Sequence, residues 1–240
     1  MIDFSKRIYK DEMMDDPNLS SADLSDILKE ISLVNLLLGG NRTIKKTLDS
    51  VLTKVEGSKI SLLDIGCGDG TALRYTARYL KKKGYDASMY GVDINNNAIE
   101  LAKGASKKFP EIKYFCLDAL NSSPEVPRCD IVMSTLTLHH MEDERLQGFV
   151  ESCQNYSTNI IIINDLERNA WAYYLFKIFG AIFIKTAVAR KDGLLSIRKG
   201  FKRSELEKLA QQFEDWNHDI YRKWAFRFVW VSERKQQKKL

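Results

Sequence analysis

From about residue 60 onward the chain alternates short apolar runs with helix-period patterns. Residues 60–65 (ISLLDI) are rich in leucine and β-branched side chains and run into glycines. Residues 71–83 place Leu73, Ala77 and Leu80 on one helical face, and Gly84 follows where a C-cap belongs. Residues 87–93 (ASMYGVD) predict the next strand. Asn97-x-x-Glu100 reads as a capping box that opens a helix to about Lys108, stopped by Pro110. Further runs at 112–117, 130–135 and 159–165, with a helix from about Asp143, continue the alternation. Steady strand–helix–strand order predicts an α/β fold, a parallel sheet with helices on both faces. Before it, residues 20–38 carry Leu24, Ile27, Leu28, Ile31, Val34, Leu37 and Leu38 at three- and four-residue spacing and end in Gly39-Gly40. That pattern predicts an amphipathic helix covering the core. After it, Ser204-x-x-Glu207 opens a helix, and residues 215–224 and 225–233 predict a hairpin that leaves one strand antiparallel.

With 240 residues and no Pro/Gly/Ser-rich linker, the chain fits one domain with a cap. Hydrophobic content of 44% and charged content of 29% exclude disordered and fibrous classes. The net charge of +5 is too mild to demand a polyanionic partner, and part of it lies in the basic stretch 234–239, read as a solvated tail. Four cysteines without a Cys-x-x-Cys pair, accompanied by three histidines, argue against zinc and against a disulfide framework. The opening residues MIDFSK contain no apolar signal region, which predicts a reducing, cytoplasmic setting. Residues 170–184 are apolar apart from Lys177, yet they fall short of the ~20 residues a membrane span requires.

The most informative stretch is 61–71, SLLDIGCGDGT, a strand leading through a tight turn into a helix. Glycines let a ligand approach the backbone, and the helix start offers free N–H groups. A dinucleotide fingerprint would need a third small residue at position 71, which is Thr, so the loop departs from that pattern. Asp64 precedes the first glycine by two residues, and Asp93 ends the second run, where a carboxylate can accept both ribose hydroxyls. Asp118-Ala119 ends the third run and could meet an adenine amino group. Each acid also has a bland reading: Asp64 as a brace for its own loop, Asp118 as a turn residue.

Asp64-Ile-Gly-Cys-Gly-Asp-Gly70, Asp93, Asp118 and the run 130–141 (DIVMSTLTLHHM) together resemble a class I S-adenosylmethionine-dependent methyltransferase, over about residues 58–165. The resemblance implies a Rossmann-like, mostly parallel sheet of seven strands with the last strand antiparallel. It implies an N-terminal helical cap over 1–57, the methyltransferase domain over 58–240 and a helical substrate lid at about 167–200. It further implies that the backbone at Gly66 and Gly68 lines the methionine moiety, that Asp93 binds the ribose hydroxyls and Asp118 and Ala119 the adenine, and that Asp64, Cys67 and Ile94 belong to the same cofactor site. The Ser134 carbonyl would receive the methionine amine.

A sulfonium donor leaves the protein chiefly with in-line positioning and exclusion of water. A base is needed only when the nucleophile is protonated at neutral pH. His139 and His140, which follow the fourth strand, and Asp165, which follows the fifth, are the candidate catalytic groups. Each could equally be structural, Asp165 by pairing with Arg168 or Arg190. Six aromatic residues between 171 and 183 exceed what one amphipathic face needs, which points to an apolar acceptor cavity or a dimer contact. Trp171, Tyr173, Tyr174 and Arg168, with the Gly40-Asn41-Arg42 turn and the segment 192–198, are expected to bracket the acceptor. The expected activity is methyl transfer to a small hydrophobic or aromatic substrate, at the oxygen of a phenol or enol, in a monomer or homodimer. No metal, nucleic acid or stable membrane insertion is expected. A close variant methylates carbon on a quinone-like ring. An NAD(P)-binding oxidoreductase is the reading from another class, and Thr71 counts against it. Residues 134–137 (STLT) lack the Asn/Asp-Pro-Pro-aromatic run of enzymes that methylate base amino groups.

Overall fold

The computed structural model describes residues 2–16, 19–55, 57–121 and 123–235; most of the basic tail lies outside the described residues. The strands are β1 (Lys59–Ile65), β2 (Asp86–Asp93), β3 (Ile112–Cys116), β4 (Cys129–Thr135), β5 (Ser157–Leu166), β6 (Trp216–Lys223) and β7 (Arg227–Arg234). They form one sheet in the order β3-β2-β1-β4-β5-β7-β6. β1 pairs in parallel with β2 on one side and β4 on the other, so strand order reverses there, the position where open α/β sheets leave a crevice for a ligand. β7 runs antiparallel to both β5 and β6, as the C-terminal hairpin predicted.

Among the described residues eight α-helices accompany the sheet: α1 (Ser21–Leu37), α2 (Gly40–Leu52), α3 (Thr71–Lys82), α4 (Asn96–Ala105), α5 (Asp143–Tyr156), α6 (Ala170–Phe183), α7 (Ala187–Lys199) and α8 (Arg203–Ala210). Alternation along each strand divides the core in two. Leu62, Met89, Ile131 and Ile162 pack with Leu48, Leu73 and Leu80 on one face, while Leu63, Val92, Val132 and Ile161 pack with Phe149 and Leu206 on the other.

Three local expectations are corrected. Gly40-Asn41-Arg42 is not a turn but the start of α2, because Gly39, with φ of 79°, ends α1 and the chain re-enters helix at once. The buried stripe Thr43, Ile44, Thr47, Leu48 and Val51 then holds α2 on the sheet. Asn95, not Asn97, caps α4: its Oδ1 accepts from the N–H groups of Asn97 at 2.9 Å and Ala98 at 3.2 Å. At α8 the box closes on Glu205, which accepts the Lys202 N–H at 2.7 Å, while Glu207 pairs with Arg203 along the helix.

The segment 170–199 folds as the pair α6 and α7. Glu30 on α1 joins it to the cap by accepting from Lys185 N–H at 2.9 Å and the Thr186 hydroxyl at 2.6 Å, at the start of α7. Among the described residues no helix is long and apolar enough to cross a membrane.

Candidate active site

At the crevice, the Gly66 and Cys67 N–H groups donate to the Val92 carbonyl at 2.8 and 3.1 Å, folding the loop across β2. Gly66 has φ of 75°, and a Cβ there would stand 2.2 Å from Thr137 Oγ1, so no larger residue fits. Asp93 ties the loop to the next helix. Its Oδ2 accepts the Gly68 N–H at 2.8 Å and its Oδ1 the Asn95 N–H at 2.9 Å. Burial nevertheless raises its pKa above the ordinary carboxylate value. Asp64 is buried with Oδ1 lacking any partner, so it does not brace the loop through that atom. Burial, with Asp93 nearby, pushes its carboxyl well up. Cys67 is buried and pushed up likewise, which keeps it a thiol and not a nucleophile.

Asp118 Oδ1 accepts the Leu120 N–H at 3.0 Å, holding a turn, and its Oδ2 lies 3.5 Å from Arg145. The Ala119 carbonyl takes the Ser152 hydroxyl. Ile94 is 71% exposed beside the crevice. The Ser134 side chain is buried, its hydroxyl unpartnered.

After β4 the chain turns through Leu136, which holds φ of 58°, into a short 3-10 turn at Leu138–His140. His139 Nδ1 lies 2.7 Å from Asp165 Oδ1, and the His139 N–H donates to Asp165 Oδ2 at 3.1 Å. Burial raises the Asp165 carboxyl, but His139 beside it more than reverses that, and the net pKa is low. Asp165 is thus an anion placed to accept from His139 Nδ1–H, which fixes the orientation of the ring. His140 is held the same way, its Nδ1 lying 3.1 Å from Asp15 Oδ2. Both Nε2 atoms face Glu12, at 3.8 Å for His139 and 4.0 Å for His140. These distances are too long for hydrogen bonds. These side-chain atoms of Glu12, His139 and His140 converge, and Glu12 Oε1 accepts from the Ser196 hydroxyl at 3.0 Å. They lie within 4.8 Å of one another, a spacing a metal ion could also use, but Lys199 Nζ already stands 3.3 Å from Glu12.

This polar trio forms part of the wall of a cavity of about 380 Å³ that is otherwise mostly apolar. Ala172, Leu175, Phe176 and Phe179 of α6 line it at one helical phase, facing Ile31, Val34 and Leu38 at the cap and Asp192, Gly193 and Ser196 of α7. Leu136, Trp224, Phe226 and Arg227 also contribute.

Several expected acceptor contacts are elsewhere. Arg168 is wholly buried, its guanidinium spent on the Phe4, Ser5 and Gly200 carbonyls and on both oxygens of Glu205. It clamps the N-terminal segment. Arg42 is exposed on α2, Trp171 is 74% exposed, and Tyr173 packs edge-on to Phe4 and Tyr174, so none of these lines the cavity. They occupy the wrong phase of their helices. Glu12, Asp15 and Arg227 are the groups sequence reasoning missed, since no periodicity or motif marks them.

Residues 62–157 match the family model described as a methyltransferase domain. Over that stretch the chain is similar to a methyltransferase domain. The ubiquinone biosynthesis O-methyltransferase of Candida albicans is 32% identical over 88 residues, 35% of this chain and 26% of that protein, so the chain spans about a quarter of that relative's length. Among solved structures, the plantazolicin methyltransferase BpumL, in complex with a triazolic desmethylPZN analog and SAH, aligns with a TM-score of 0.69 at 17% identity, covering 89% of this chain and 92% of that one. Magnesium protoporphyrin IX methyltransferase from Synechocystis PCC 6803, with bound SAH, aligns with a TM-score of 0.57 at 14% identity, covering 82% and 84%. The fold is the class I methyltransferase fold, seven strands with β7 reversed.

Proposed function

We propose that the chain is an S-adenosylmethionine-dependent methyltransferase acting on a hydroxyl oxygen, of phenol or enol type, in a small hydrophobic acceptor. The observation that carries this is the His139 ring, held through Nδ1 by Asp165 at 2.7 Å, in the wall of an apolar cavity beside Glu12 and His140. An acceptor O–H brought against that wall meets an imidazole whose other nitrogen is already held by a carboxylate. The unpartnered Asp64 Oδ1 and the glycine turn at Gly66 and Gly68 fit a polar ligand in the crevice, as the methionine end of the donor would be. Asp93 and Ile94 would meet the ribose, the Asp118–Ala119 turn the adenine, and the Ser134 carbonyl the amine. The donor brings its own leaving group, so the protein's part is to align the oxygen and accept its proton. His139 Nε2, with Nδ1–H anchored on Asp165, is placed for that proton. The four free cysteines agree with a reducing, cytoplasmic setting.

Methyl transfer from isotope-labelled S-adenosylmethionine to a panel of apolar phenols, enols and quinones, followed by mass spectrometry, tests the assignment. His139→Ala should lose about 10²–10⁴-fold in turnover while keeping donor affinity. Label appearing on carbon would move the acceptor class to quinone-like rings. Turnover that requires an added divalent ion would turn the trio into a metal site.

A further inference from the structure

β7 begins with Arg227, opposite Leu166 of β5 and Lys223 of β6 in the register. Its side chain is 2% exposed, and its Nε and Nη1 are buried without any hydrogen-bond partner. A guanidinium has five N–H donors and no acceptor, so leaving Nε and Nη1 buried without hydrogen bonds carries a desolvation cost that the nearby Asp165 charge offsets only in part. The carboxylates near it are engaged elsewhere. Asp165 accepts from His139 and from the Leu166 N–H at 2.6 Å, and Glu167 pairs with Arg222 at 2.7 Å. Burial lowers the Arg227 pKa to about 10, which still leaves it charged at neutral pH. The residue lines the acceptor cavity, among Leu166, Trp224, Phe226 and the rings of α6.

Apolar walls suit a hydrophobic ring, but they do not explain a charge held bare among them. We propose that Arg227 is the acceptor-recognition residue of this methyltransferase, and that the acceptor is a ring compound carrying a carboxylate that the guanidinium receives. The inference rests on the reading of the cavity as the acceptor site and adds to it the acceptor's second functional group. The wall then reads two groups of opposite character. His139, held on Asp165, offers a proton acceptor to a hydroxyl, and Arg227 offers N–H donors to an oxyanion. A planar fork matches the two oxygens of a carboxylate, which a neutral ester or amide cannot reproduce with charge.

Binding is read calorimetrically on the S-adenosylhomocysteine-loaded protein, with a panel of hydroxynaphthoates and their methyl esters as probes. The wild type should favour a carboxylate over its ester by about 10–100-fold, the scale of charge-assisted hydrogen bonds in a dry site. Arg227→Met should erase that preference and keep the affinity for S-adenosylhomocysteine. Arg227→Lys should restore part of it. A second readout separates recognition from architecture. If the guanidinium waits for a ligand, Arg227→Met replaces an unpaired buried charge by an apolar chain, and the ligand-free melting temperature holds or rises. A marked fall in melting temperature would make Arg227 structural and overturn the proposal, as would equal affinity of the wild type for carboxylates and esters. Methylation of neutral phenols without any carboxylate preference would remove this inference and leave the activity standing. Arg227-dependent carboxylate binding without turnover would do the reverse.

Discussion

Replacing Arg168 by Met separates a clamp from a substrate contact. The side chain is fully buried, and it donates to Phe4 O at 3.0 Å, Ser5 O at 3.0 Å, Gly200 O at 2.6 Å and Glu205 Oε1 and Oε2 at 2.6 and 3.0 Å. Methionine has nearly the same reach, so little cavity is created. The loss is almost entirely polar. Three carbonyls and one carboxylate lose a charged donor. Breaking a buried pair by removing one partner costs about 3–5 kcal/mol. Glu205 is 37% exposed and can be re-solvated, which moves the expectation to the lower part of that range, about 3 kcal/mol. Urea unfolding should then show a lower midpoint at unchanged slope, and hydrogen exchange should show the segment around Phe4 and Ser5 released. In protein that remains folded, the acceptor KM should change little, because the guanidinium lies off the cavity wall. A stability loss under 1 kcal/mol combined with a large rise in acceptor KM would refute the clamp and return Arg168 to the substrate site.

Asp93→Ala removes two carboxylate hydrogen bonds to the loop, worth about 1.5–3 kcal/mol each, along with the proposed ribose contact; calorimetry should show at least tenfold weaker donor binding in a folded protein. Gly193→Ala puts a Cβ 2.4 Å from the Phe176 ring, so the ring must swing; the expected result is a changed acceptor range at constant S-adenosylhomocysteine affinity, read by competition across the acceptor panel. The Asp15–His140 pair makes closure of the N-terminal segment pH-dependent. Burial opposes both charges, yet the pairing wins, lowering Asp15 below 3.8 and raising His140 above 6.5. Asp15 therefore contributes stability above pH 3.8 that is lost as pH falls through its lower folded value. His140 contributes stability below pH 6.5 that is lost as pH rises through its higher one. Asp93, Glu12 and Lys199 also face this pair, and their charges belong to the same balance. Exchange protection of residues 2–16, corrected for intrinsic rates, should be higher at about pH 5.5 than at about pH 8.5, and Asp15→Asn should flatten the difference.

What the sequence discloses and what it hides divide along contact range. The order of strands and helices, the glycine loop and Asp93 are written in local period and spacing, and the structure has them where those patterns put them. His139 and Asp165 are visible as strand-end polar residues, but their pairing depends on β4 and β5 lying side by side in the register Ser134↔Ile163. Glu12 and Asp15 carry no local signal. They reach the site because Arg7 spans the Lys199, His139 and Met141 carbonyls and Arg168 holds the backbone at Phe4 and Ser5. The histidine count argued against a metal-like cluster for the same reason, since the third ligand-type group is more than a hundred residues away in the chain. In the aromatic tract the composition was informative and the phase was not. Phe176 and Phe179 face the cavity, whereas Trp171, Tyr174, Ile178 and Ile182 stay exposed. Both arginines chosen from motif position, Arg42 and Arg168, lie off the cavity wall, and Arg227, which lines it, sits at the start of the reversed strand β7. Antiparallel β7 brings its first residue to the edge where the parallel strands β4 and β5 end. An antiparallel strand beside a parallel sheet thus supplies the cavity wall with a side chain from its start, while its parallel neighbours supply theirs from their ends.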